Sequence, residues 1–156
     1  MWEFIKQNWG NLASVIGLII SIVTLLFARR ASQAAKEAKA AVLRRNVADD
    51  LEDAERQAQE IIFFLGQKQW SISRLKADEL HRKALWIRER WASLLTEESR
   101  TQIIDAMIQL NLLVENLDKI VDNNLSDEQL KRLTEAAKRT RDMFLREHAK
   151  FLAKTD

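Results

Sequence analysis

The 156-residue chain contains no cysteine, no proline and only three glycines, Gly10, Gly17 and Gly66. Without cysteine there is no disulfide framework and no thiolate metal site, which suits a reducing cytosol. Without proline, and with so little glycine, there are few places to break a helix, so an all-α chain is expected. Histidine is scarce too: His81 and His148 stand far apart. No Gly-rich phosphate loop, HExxH or GxSxG is present. The acids are spread along helix faces, and no serine has an evident base beside it. These gaps leave the roles of an active site unfilled. The expectation is therefore a non-enzyme with no catalytic residue, no metal and no cofactor.

What is present begins with an apolar run, Leu12–Ala28, uncharged throughout its 17 residues. At ~1.5 Å per residue a helix of that length reaches ~25 Å, near the lower limit for crossing a bilayer. Ser14, Gly17, Ser21, Thr24 and Ala28 recur at spacings of three and four. The rhythm continues as Ala31, Ala35, Ala38 and Val42. Ala13, Gly17 and Ser21 also form a small-xxx-small pattern. In lipid, close packing and side-chain hydrogen bonds hold helices together, so a stripe of small residues points to self-association. Ser14, Ser21 and Thr24 either bond across subunits, face a narrow polar lumen, or bond back to their own helix.

Charge orients the span. Residues 29–45 carry six Lys and Arg (Arg29, Arg30, Lys36, Lys39, Arg44, Arg45) against Glu37. Such a collar marks the cytoplasmic side and meets anionic lipid at ~1 kcal/mol per cation near the surface. The N-terminus is then outside and the C-terminal part cytoplasmic, with the chain crossing the inner membrane once. Trp2, Phe4 and Trp9 suit the opposite interface. A cleaved signal peptide would place its basic residues before a shorter apolar core; here the positive charge follows the core.

The remainder reads as helices. The stem over 29–45 has no breaker, and Asn46 is the first plausible stop. Val47, Leu51, Ala54, Ala58, Ile61 and Leu65 form a heptad-like seam over Val47–Leu65, with Asp49, Asp50, Glu52 and Asp53 suited to a positive helix N-terminus. Gly66 is placed for a C′ residue. A helix over about 72–95 carries Leu80, Ala84, Ile87, Trp91 and Leu94 on one face. Thr96 caps the next helix, which runs to about Asp122 and ends at Asn123 and Asn124. Its seam is Ile103, Met107, Leu110, Val114, Leu117 and Val121, with a second stripe at Ile104, Ile108 and Leu112. Ser126 and Gln129 form a capping box opening a helix to near Ala153, with Leu130, Leu133, Ala137, Phe144 and Phe151 inward. Short loops between four such helices favour a bundle. The expected organisation is a flank and transmembrane helix over 1–28, a basic stem over 29–45 and a cytosolic four-helix bundle over 46–156, in a homo-oligomer.

One soluble segment is unusual. Gly66–Trp91 holds Trp70, Trp86 and Trp91, with seven Lys and Arg against three acids. Cations meet phosphates, and aromatic faces stack on bases. Trp91 lies on the apolar stripe and reads as core. Trp86, near Leu75, suits an interface. Trp70 sits in or beside a short loop, where core packing and ligand stacking fit equally. Arg74, Asp78, His81, Leu85 and Arg88 share one helix face, which on an isolated helix would be a solvated surface. Its closeness to Lys68 and Trp70 makes Lys68, Trp70, Ser71, Arg74 and His81 the candidate ligand-binding set. Trp70 would stack on a base, Lys68 and Arg74 would meet phosphates, and Ser71 and His81 would bond sugar or base.

In its layout of span, basic stem and small helical domain, with MWEFIKQNWG before the span and KQWSISR after Gly66, the chain resembles the small membrane-bound effectors of prokaryotic anti-phage immunity. It is most similar to the transmembrane ancillary effectors of type III CRISPR systems. The resemblance implies a homotetramer whose cytosolic domains bind cyclic tetra-adenylate and whose membrane helices then impair the inner membrane. No long nucleic acid is expected as a partner. The alternatives are a membrane-tethered helical scaffold and a holin-like protein, neither with a nucleotide ligand.

Overall fold

A computed structural model of the chain describes residues 2–120 and 125–153, with side chains from residue 14 onward. The expectations for Trp2, Phe4, Trp9 and Ala13 as side chains, and for Val121, Asn123 and Asn124, lie outside what is described. The described residues form four helices and no strand: α1 (Trp2–Gly66), α2 (Trp70–Arg90), α3 (Glu97–Asp118) and α4 (Asp127–Leu152). The chain divides into two compact units, Met1–Val42 and Leu43–Asp156.

The first unit is helical, and every described residue from Ser14 to Lys39 is exposed. Ten large apolar side chains between Val15 and Phe27 are among them. Its composition and length are sufficient for a membrane span. Burying a Leu, Ile, Val or Phe side chain stabilises by roughly 1.5–3 kcal/mol. This many left bare in water is unfavourable, so lipid or other protein must cover them. Two polar members of the small-residue stripe bond back to their own helix. Ser21 Oγ donates to the Gly17 carbonyl and Thr24 Oγ1 to that of Ile20, both at 2.8 Å.

Asn46 does not stop the helix. The separate helix expected over Val47–Leu65 is the C-terminal part of α1. An interior Asn costs only ~0.7 kcal/mol or less relative to Ala, and no Gly or Pro lies between Gly17 and Gly66 to add to it. Asp49, Asp50, Glu52 and Asp53 therefore do not sit at a helix N-terminus. Two of them bind other elements instead. Asp50 accepts the Trp91 indole N–H at 2.8 Å, and Asp53 receives Lys83.

The second unit packs four helical segments around one core. Val47, Leu51, Ala54, Ala58, Ile61 and Leu65 are all fully buried, as the seam spacing requires. They share the core with Leu80, Ala84, Ile87 and Trp91, with Ile103, Leu110, Leu113 and Leu117, and with Leu133, Ala137, Phe144 and Phe151. Thr96 accepts the Ser99 amide at 3.1 Å at the start of α3. Ser126 and Gln129 exchange both bonds of the capping box.

Two ends differ from the expected ones. α2 stops at Arg90, and Trp91 to Leu95 form turns instead, with the Leu94 and Leu95 amides both donating to the Trp91 carbonyl. The Trp91 indole is tied to Asp50, and Leu95 is buried, so tertiary packing ends this helix. α3 stops at Asp118, where the Ile120 amide turns back to the Leu117 carbonyl.

Leu51→Ala would open a cavity in the centre of this core. The expected loss is about 2–5 kcal/mol, read by denaturant unfolding of the full-length protein in detergent.

Candidate functional site

The connection after α1 decides where the candidate residues point. The Gln69 amide donates to the Phe64 carbonyl and the Lys68 amide to that of Leu65, both at 3.0 Å. This bond pair is a Schellman closure, with Lys68 as its C′ residue. Lys68 has φ of 56°, in the left-handed region, whereas Gly66 is an ordinary helical residue. The C′ position expected at Gly66 thus belongs to Lys68, two residues later. The closure shortens the connection, so Trp70 opens α2 rather than lying in a loop.

Trp70 is 7% exposed and belongs to the core. Its ring packs inside the domain, leaving little of its face for a ligand. Lys68, Ser71 and Arg74 are exposed near one another in sequence, and His81 is half-buried about two turns further along α2. Arg74 donates to Asp118 at the end of α3, which raises its pKa above the ordinary arginine value. A phosphate would have to compete with that carboxylate.

The rest of the basic segment is largely occupied within the domain. Lys76 pairs with Glu60 at 3.1 Å, a hydrogen bond that raises its pKa. Lys83 meets Asp53, and desolvation lowers its pKa. Arg82 pairs with Asp78 at 2.8 Å. The Arg90 guanidinium stacks over Trp86 and Trp91, with its carbon 4.5 and 4.7 Å from the ring centroids. Much of the positive charge on α2 therefore answers acids on α1 and on α2 itself.

Several apolar side chains remain outward. On α2, Trp86 is 41% exposed, and Ile72 and Leu75, earlier in the same helix, are exposed too. On α3, Ile104, Ile108 and Leu112 are exposed at four-residue spacing, so the second stripe of that helix stays uncovered by this chain.

Sequence reasoning missed a groove between α3 and α4. It is lined by Gln102, Gln109 and Asn116 from α3 and by Arg132, Arg139 and Arg146 from α4. Each trio has a seven-residue period, a signal visible in the sequence. Its meaning depends on the two helices lying side by side. No family model matches the chain, and no curated protein or solved structure does so either.

The local geometry makes a direct prediction. Lys68→Gly should stabilise the fold by up to about 1 kcal/mol, because a non-glycine residue in the left-handed region carries a cost of roughly 1–2 kcal/mol. Trp70→Ala should lower stability by about 3–5 kcal/mol, as expected for a buried aromatic. Thermal unfolding of the two variants beside the wild type checks both signs.

Proposed function

We propose that this chain is a non-enzymatic effector of the inner membrane. The apolar segment of α1 crosses the bilayer, the helical domain lies in the cytoplasm, and copies associate as a homotetramer. The domain takes a cyclic oligoadenylate, cyclic tetra-adenylate by the resemblance drawn from the sequence, and the membrane helices then impair the bilayer.

The observation that carries the reading is α1 itself. One helix contains both the bare apolar stretch and the fully buried seam from Val47 to Leu65. In this reading the helix is the route by which repacking of the domain would reach the span. A ligand can drive such a change only through different affinities for the two arrangements.

A tethered scaffold is the second reading, and a specific observation favours it. Ile104, Ile108 and Leu112 form an uncovered aliphatic row, which suits a protein partner with no small ligand.

Full-length protein in detergent separates the two readings. Cyclic tetra-adenylate at 100 times its Kd should stabilise the native state by about 2.7 kcal/mol, seen as a rise in melting temperature. The same compound should trigger dye release from proteoliposomes. A melting temperature that does not move, with vesicles that stay intact, leaves the scaffold.

A further inference from the structure

The α3–α4 groove has more ordered chemistry than an incidental surface cleft. Seven residues of helix span about 10.5 Å, close to two full turns. Arg132, Arg139 and Arg146 therefore form one row along α4, and Gln102, Gln109 and Asn116 form one row along α3. Three successive clefts of about 270, 430 and 380 Å³ run between them. The first two share Gln109 and Arg139, and the last two share Arg132. Small-molecule sites commonly measure ~300–1,000 Å³, so two of the clefts are of useful size alone and the first joins its neighbour at Gln109 and Arg139.

The groove also has unused bonding capacity. Thr140 lines the first cleft at 2% exposure, and its hydroxyl has no hydrogen-bond partner among the described residues. The Gln102 side-chain oxygen, in the same cleft, has none either. Among the described residues Arg139 makes no ion pair, and Arg146 donates to the Asp142 carbonyl of its own helix at 3.2 Å. Arg132 is paired with Glu128 at 2.6 Å, but both are well exposed. Met143 supplies apolar surface beside the two arginines.

We infer that this groove, rather than the α2 segment, receives the ligand of the helical domain. The ligand class is a short phosphate-bearing nucleotide chain with purine edges. Arginine forks meet phosphate oxygens, while side-chain amides pair with the acceptor and amine of an adenine edge. Asp105, the acid lining the first cleft, accepts from an exocyclic amine. The phosphates lie toward the arginine row, away from it. The inference rests on the ligand-binding reading above and names its site.

The test uses full-length protein in detergent, with cyclic tetra-adenylate and linear tetra-adenylate as probes in a direct binding titration. The double variant Arg139→Ala with Arg146→Ala should weaken binding at least 100-fold. Lys68→Ala with Arg74→Ala should stay within threefold of wild type. Arg139→Lys with Arg146→Lys keeps the charge but loses the bidentate fork, and should sit about 10-fold below wild type. It serves if the alanine pair fails to fold, as judged by circular dichroism. Retained affinity in the groove variants, with loss in the α2 pair, overturns the groove while leaving the effector reading intact. Wild-type protein that binds neither probe overturns both. Binding of one probe alone, lost in the groove variants and kept in the α2 pair, supports the groove and identifies whether the chain must be closed.

Discussion

The domain depends on one seam. Val47, Leu51, Ala54, Ala58, Ile61 and Leu65 are fully buried, and residues of α2, α3 and α4 share their core. Polar contacts reinforce the same helix. Asp50 holds Trp91 where α2 ends, Asp53 holds Lys83, and Glu60 holds Lys76. An isolated pair of exposed charges contributes little, about 0–1 kcal/mol. Burial along the seam dominates, and the charges chiefly select which face of α2 meets α1.

This arrangement changes the meaning of the basic segment. In sequence, Gly66–Trp91 looks like a concentration of cations and tryptophans awaiting an anionic ligand. In the folded chain Lys76 and Lys83 answer acids of α1, Arg74 answers Asp118, and Arg90 covers Trp86 and Trp91. Trp70 is drawn into the core because the Schellman closure at Lys68 starts α2 early. The α4 arginines Arg139 and Arg146, in contrast, make no ion pair among the described residues and border a buried hydroxyl with no partner. Local charge density in the sequence thus overstates the charge left unanswered after folding.

The apolar segment and the helical domain obey different solvents. Residues 14–39 present side chains outward, and the aliphatic ones need a nonaqueous covering. Ser21 and Thr24 satisfy their hydroxyls on their own helix, so the apolar exterior carries few unmet polar groups. The domain instead hides most of its aliphatic residues, leaving out Ile104, Ile108 and Leu112 on α3, Ile72 and Leu75 on α2, and Leu145 and Leu152 on α4. These exposed groups are where association, if driven by the domain, would gain most.

Much of the fold was legible in the sequence alone. Apolar spacing of three and four located the buried stripes of α1, α2 and α4 and part of that of α3, where Ala106 and Leu113 are buried and Met107 and Val114 only half-buried. Thr96, Ser126 and Gln129 marked two helix starts, because periodicity and capping are local properties. The apolar run and its basic collar were equally plain, since they follow from composition. Tertiary structure decided the rest. Whether Asn46 interrupts a helix depends on a small propensity penalty against the burial of the seam that begins at Val47. Where α2 ends depends on Asp50, 41 residues before Trp91. Whether Trp70 faces inward depends on a left-handed residue that is a lysine rather than the nearby glycine. The α3–α4 groove exists only because two polar rows of equal period are brought side by side. Contacts distant in the chain leave no local trace, and the candidate site was the part of this protein most dependent on them.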